Sequence, residues 1–585
     1  MGKAFGGWRP GSWLCVAACG LAMATPLGTP WAQAQSAPTV TTTFHTIGLY
    51  WTRPKVAAGV AIQYRHRNSS VWKTAQSLWW DSLSGISTYR NQYRGSIVNL
   101  RPGARYVVRY SLNGGGSWTT LPTITTRSQT FAGTITRYSG LLSGKLVVNT
   151  GGTPGNWRIY DGQGTTTIDT GHADDCVLLK ASYVVIRNFE IRDCRYNGVV
   201  VEKPNVVIEG NTIYDWGIRE IDPANPTPRR GNVSQRPLSD PLSTCIAGTD
   251  KGDFGRLDDS GIYVRASGND GIVIQRNVIR NPRYRSTRWV ECPGYDNHPY
   301  GPSAIYISSG ASESAFGKGN VIRYNNIYAT ITTSGAVTLH DDANRYYDII
   351  LAHYQQDFDV YGNIIRNGTD DAIEVDNAAV NTRIWGNYVD YALTMISHQH
   401  MEAGPSYVFR NIFDRGADNY AGNPGALNVG IYASPYTSGS PLKYKQDNGS
   451  IAAFNGPAYV YHNTSLRTGL DGFKYGYSIF AENAGKEPND YKNLISRNNV
   501  FMSGVYYLYD THPRNWVGYV FSDAYNHGNN TNNPYTTTNG LMTRRFGRQV
   551  TGRRRPGRLR RLCRRVGITH LRQYLYYLPP EWVDL

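Results

Sequence analysis

From Val360 to Asn411 the chain reads VYGNIIRNGTDDAIEVDNAAVNTRIWGNYVDYALTMISHQHMEAGPSYVFRN. Short runs of alternating apolar and polar residues, the period-2 pattern of a strand with one buried face, are punctuated by an Asn at Asn363, Asn387 and Asn411, 24 residues apart each time. A fixed period in the low twenties, with two short strands and a polar turn per unit, predicts stacked coils rather than a layered globular fold. The same word recurs at Asn188, Asn211, Asn277, Asn325, Asn463 and Asn498. The longer gaps read as coils carrying inserted loops, near 218–257, 282–302, 341–358 and 418–455. An Asn at one turn position of every coil can hydrogen-bond its copies above and below, so these residues are expected to form a structural ladder.

These repeats resemble the right-handed parallel β-helix proteins, the pectin-lyase-like superfamily of secreted polysaccharide lyases, glycoside hydrolases and epimerases. The resemblance implies an all-β solenoid over residues 134–542 that acts on polysaccharide. It implies no particular reaction, because the tight catalytic signatures of pectate lyases and polygalacturonases are not evident. Residues 38–127 have another texture, with short strands separated by Gly, Asn and Ser turns. There LRPGARYVVRYS places Leu100, Pro102, Gly103 and Tyr106 as in the L-x-P-G-x-x-Y word of fibronectin type III domains, which implies a small N-terminal β-sandwich. Trp79 and Trp80 could stack on sugars, though packing inside the protein is the ordinary use of such a pair.

Composition changes this picture at the two ends. Lys3 and Arg9 precede an apolar run from Trp13 to Ala24, and Ala32-Gln33-Ala34 has the small residues of a cleavage site, so residues 1–34 read as a secretory signal and a secreted or periplasmic protein is expected. No apolar run is long enough to span a bilayer. Of the formal net charge of +17, twelve Arg lie between Arg544 and Arg572 with no acid among them. The high pI therefore belongs to a tail, residues 543–585, read as a disordered appendage or a frame-shifted end. Cys176, Cys194, Cys245, Cys292 and Cys563 remain beyond the signal; Cys245 and Cys292, both in insertions, could pair in an oxidising compartment, and no pair has metal-site spacing.

Candidate chemistry comes from aligning the strand that follows the turn in each coil. The words DDCVLLK, YNGVVVE, DSGIYVR, PSAIYIS, SGAVTLH and DDAIEVD align on Cys176, Gly198, Gly261, Ala304, Ala336 and Ala372. Residues two and four places on then point outward. The first column reads Leu178, Val200, Tyr263, Tyr306, Thr338 and Glu374; the second reads Lys180, Glu202, Arg265, Ser308, His340 and Asp376. With coils about 4.8 Å apart, His340 is expected beside Asp376, with Glu374 about 7 Å along the strand and Asp370 and Asp371 at its start. Carboxylates crowded this closely repel one another, which favours a catalytic or ion-binding role over a solvated polar face. Asp376, Glu374, Asp371, Asp370 and His340 are thus the candidate catalytic residues, with Asp376 the candidate acid. Tyr306, Tyr263, Arg265, His398, His400 and Gln399 are the candidate substrate-binding residues. The register of SHQH admits two readings: His398 and His400 over Glu374 and Asp376, or Gln399 over Asp376 with His398 turned inward.

Three functions fit: a glycoside hydrolase using two groove carboxylates, a polysaccharide lyase or C5-epimerase with Ca²⁺, and a non-catalytic glycan-binding β-helix. Few Lys or Arg stand near the groove centre, which favours hydrolysis of a neutral or metal-bridged polysaccharide. No cofactor is required for that reaction, Ca²⁺ being the candidate ion if one binds. A monomer with no nucleic-acid partner is expected.

Overall fold

The computed structural model describes residues 36–81, 91–217, 259–265, 268–283, 286, 302–310, 312–329, 346–368, 370–377, 379–390, 392, 394–399 and 403–413, and strands at 443–445, 457–465, 480–482, 494–497, 500–501 and 527–528. The fold is the expected one, a right-handed parallel β-helix with a small N-terminal β-sandwich. Among the described residues, two long sheets made of parallel pairs run along the helix, one of 21 strands and one of ten. The ten-stranded sheet carries the aligned words: Val177–Leu179, Val199–Val201, Ser260–Val264, Ser303–Ile307, Ile350–Ala352, Ile373–Glu374 and Ser397–Gln399 follow one another in register. Between the sheets lies one continuous core of stacked Ile and Val, among them Val199, Ile262, Ile305, Ile350 and Ile373. Cys176 and Cys194 join the first coils through a disulfide. The proposed Cys245–Cys292 pair, Cys563 and Asn498 lie outside the described residues, as do the signal and the Arg-rich tail.

The asparagine ladder is present and continuous. Nδ2 of Asn363 donates to Oδ1 of Asn387 at 3.0 Å, and Asn387 does the same to Asn411 at 3.0 Å. Asn211, Asn277, Asn325 and Asn463 belong to the same column. Each rung also accepts the backbone N–H of the preceding Asn, so a buried amide satisfies both a side chain and a turn. The residue before each rung has positive φ, a backbone that glycine adopts without strain, and Gly210, Gly362 and Gly386 stand there. Asn188 is a correction to the sequence reading. It occupies that left-handed turn position, with φ 60°, and gives its Nδ2 to Asp161, while the N–H of Phe189 takes the place level with Asn211.

The sandwich consists of two antiparallel sheets. One holds Thr39–Thr42, Ile47–Thr52, Gln92–Ile97 and Trp79–Asp81; the other holds Lys73–Thr74, Ala61–His66, Arg105–Ser111 and Thr119–Thr120, with Ile124–Thr125 on the same strand as the last. Tyr106 accepts the N–H of Arg101 on its hydroxyl at 2.8 Å, and Leu100 is buried beneath it, a tyrosine corner. Trp80 packs on the sandwich core and Trp79 lies under the Arg94 guanidinium, so both tryptophans serve packing.

The first of these sheets docks on the 21-stranded sheet through buried polar contacts. Tyr50 donates to Asp357 at 2.7 Å, Thr43 to Asp359, and the backbone N–H of Ser96 to the hydroxyl of Tyr407 at 2.9 Å. Arg383, fully buried, meets Asp359 at 2.5 Å, Asp357 at 3.0 Å and Ser96 at 3.2 Å. Arg94 is equally buried between Asp81 and the carbonyls of Ala403 and Gly404. Approach is close enough at Gly48 that a Cβ there would fall 2.1 Å from an Asp357 oxygen.

Candidate active site

The parallel register decides which outward residues meet. Ile350 pairs with Ile305 on one side and Ile373 on the other. The coil between Ser303–Ile307 and Ile373–Glu374 is therefore built from DIILAH, residues 348–353, and not from SGAVTLH. His340 lies outside the described residues, and the column position assigned to it belongs to His353. Sequence reasoning placed His353 in an inserted loop because it matched small residues at the strand start, where this coil has Ile349. A better signal was present. Asn211, Asn363 and Asn387 follow Val199, Ile350 and Ile373 by 12, 13 and 14 residues, so counting back from the ladder finds the strand and puts the insertion before it.

His353, Glu374 and Asp376 each offer one ligand or acceptor atom within 4.8 Å of the others, and so do Asp348, Asp371 and Glu374. Glu374 belongs to both groups and joins them. Its Oε1 lies 2.6 Å from Nε2 of His353. Asp376 accepts a hydrogen bond from the hydroxyl of Ser397 at 2.9 Å. Asp348 accepts the N–H of Asp371 at 3.0 Å. Exposure divides the cluster: Asp348, Asp370 and Asp371 are buried, whereas the side chains of His353 and Glu374 keep 32% and 13% exposure and stand open to a ligand. Asp376 is buried as well, at 6% exposure.

Electrostatics follow from that arrangement. Burial pushes the Asp348 carboxyl well above the usual carboxylate range, and Glu374, Asp370 and Asp371 beside it push the same way. Asp348 therefore carries a proton where ordinary carboxylates do not. His353 is pulled down by burial, but its hydrogen bond to Glu374 and the nearby charges of Glu374, Asp376 and Asp371 outweigh this, so the imidazole holds its proton to a higher pH than usual. Asp348 has a consequence for stability. Its folded pKa lies above the unfolded value near 3.9, so the folded state loses stability as pH rises from that value toward the folded one. Asp348→Asn keeps the acceptor for the Asp371 N–H and removes this loss. Its thermal midpoint should exceed that of the parent at pH 7 and match it near pH 3.5; an equal or lower midpoint at pH 7 would refute a protonated Asp348.

The other sequence candidates are distributed as follows. Glu374 pairs with Ser397, which puts His398 level with Val375 and Gln399 level with Asp376. The inward reading of SHQH holds. His398 is fully buried, 3.1 Å from the Ser406 hydroxyl, and burial pushes its pKa down to about 4, so it is a neutral core residue and not a substrate contact. His400 lies outside the described residues, as do most of the inserted loops. Tyr306 and Tyr263 point outward two and three coils from Glu374, stacked at 5.2 Å with their planes 15° apart. Their faces cover each other, so toward the groove they present ring edges and hydroxyls. Arg265 is paired with Glu202.

No family model matches the sequence. No curated protein matches it. Among solved structures, the Dettilon tailspike protein aligns with 64% of this chain and 61% of its own length, at 13% identity and a TM-score of 0.25. The catalytic unit of a thermostable GH87 α-1,3-glucanase from Streptomyces thermodiastaticus strain HF3-3 aligns with 80% of this chain and 88% of its own, at 9% identity and a TM-score of 0.21.

Proposed function

We propose that this chain is a secreted carbohydrate-active enzyme that cleaves glycosidic bonds of a polysaccharide, with Glu374 and Asp376 as its working carboxylates. The observation that carries the reading is the junction at Glu374, an accessible carboxyl held between two groups that retain protons, His353 and Asp348. A carboxylate beside a proton-bearing imidazole keeps its charge, which suits it to meet the anomeric carbon as a nucleophile. Asp376, whose oxygen accepts from Ser397, is the carboxyl that gives its proton to the leaving oxygen, the role the sequence reading assigns to it. Separations under 4.8 Å suit the about 5–5.5 Å of a retaining pair better than the about 6.5–9.5 Å that leaves room for a water in an inverting one. In that reading Asp376 protonates the glycosidic oxygen as its bond to carbon breaks and Glu374 bonds to that carbon. Water then displaces Glu374, with Asp376 taking the proton. The N-terminal sandwich is proposed as a fibronectin type III-like module, on the strength of the corner at Leu100 to Tyr106.

The test is incubation with a panel of neutral and uronate-containing polysaccharides, following reducing ends and absorbance near 235 nm together. New reducing ends without absorbance, unaffected by chelator, are expected. Absorbing products that require Ca²⁺ would replace hydrolysis with elimination, and no product from any polymer would leave a binding protein.

A further inference from the structure

The sandwich has a charge pattern unlike that of the β-helix it docks on. Residues 36–127 hold eleven Lys or Arg and one acid, Asp81, and that acid is engaged by Arg94 in the buried interface. The sheet bearing Tyr50, Arg94 and Ser96 docks on the β-helix, so the second sheet faces away from it. On that second sheet cations and rings alternate in a row. The Arg65 guanidinium lies 5.2 Å from the Trp72 ring, and that of Arg109 lies 3.9 Å from Trp72 and 4.7 Å from Trp118. The two arginines are held in place without any carboxylate: Arg65 donates to the carbonyls of Arg67 and Ser69, and Arg109 donates twice to Oε1 of Gln63. Arg67, Lys73 and Arg105 stand exposed around them. Among the described residues none of these five cations pairs with an acid.

A sandwich needs no such concentration of charge to fold, because like charges on one face repel. The tryptophan faces are engaged by guanidinium, so the row does not offer platforms for a neutral sugar ring. What it offers is fixed planar donors, the geometry that takes carboxylate or sulfate oxygens in pairs. We propose that this outer face tethers the protein to a polyanionic glycan, a polymer bearing carboxylate or sulfate groups, while cleavage takes place in the β-helix groove. The choice of a glycan over a nucleic acid rests on the glycan-cleaving reading of that groove.

The test uses the full chain with Glu374→Gln, so that turnover does not erode the ligand, and measures binding to polygalacturonate, to a sulfated glycan, to a neutral glucan and to single-stranded DNA across a salt titration. Binding to the two acidic glycans, weakening with salt, and none to the glucan are expected. Adding Arg67→Gln, Lys73→Gln and Arg105→Gln together should weaken acidic-glycan binding by roughly ten-fold with no change in thermal midpoint, since rim charges contribute to association and not to folding. The Arg-rich tail is common to both chains, so their ratio reports the sandwich face. A change under about two-fold, or tighter binding to DNA than to either glycan, overturns the tether. In the Glu374 parent, the triple substitution should leave cleavage of short neutral oligosaccharides intact. Loss of binding with retained cleavage, and loss of cleavage with retained binding, therefore identify which of the two readings fails.

Discussion

Asp376→Asn and Glu374→Gln are each expected to lower turnover by about 10² to 10⁴-fold, the usual worth of a positioned acid or base, while Glu202→Gln stays near the parent rate. All three residues are on the groove sheet, but only the first two touch the cluster. Asp376 and Glu374 have atoms within 4.8 Å of each other and of His353, whereas Glu202 is engaged by Arg265 three coils before Ile350–Ala352. None of the substitutions alters a core contact, so thermal midpoints should stay within a few degrees and the rates can be compared directly. The pH dependence separates roles. If Glu374 acts ionised, His353→Ala should shift the acid limb of the rate profile to higher pH, because the imidazolium that stabilises the Glu374 carboxylate is lost along with its hydrogen bond. Near-parent turnover in both carboxylate variants would move the reaction elsewhere on the helix.

The second large effect concerns the junction with the sandwich. Arg383→Met should cost about 3–5 kcal/mol in urea unfolding, the usual result of removing one partner from a buried ionic cluster. The guanidinium has no exposure and is held charged against its burial by Asp359 and Asp357. Without it those two carboxylates are left facing each other inside the interface, with Tyr50 and Thr43 as their hydrogen-bond donors. Burial already raises the Asp357 carboxyl, so part of the loss should be recovered at low pH, where Asp357 takes up a proton. A fall below about 1 kcal/mol would mean that the interface is wet and the sandwich only loosely held. Since Asp357 follows His353 by four residues along one coil, the same measurement also reports how firmly the turn beyond the site is supported.

How far the chain could be read in advance differs from feature to feature, for physical reasons. The β-helix was legible because every coil must present apolar residues at period 2 and return to the same turn, which prints Asn363, Asn387 and Asn411 at equal spacing. The sandwich was legible at one word, because a tyrosine corner needs Leu100, Gly103 and Tyr106 at set intervals. Glu374 and Asp376 were found together because strand alternation places them by parity, and Asp370 and Asp371 because they stand at the start of the same strand. Tertiary structure decided what depends on register between strands that are distant in sequence. One residue of slip separated a groove histidine from a core histidine at His398, and Asn188 from the ladder. The identity of the coil before Asp376 depended on which side of an insertion the strand lay, so His353 and Asp348 emerged only when Ile350 was seen paired with Ile373. The burial of Arg383 with Asp357 and Asp359 could not be read at all, because charged residues on a strand look solvent-exposed until the second domain that covers them is in place.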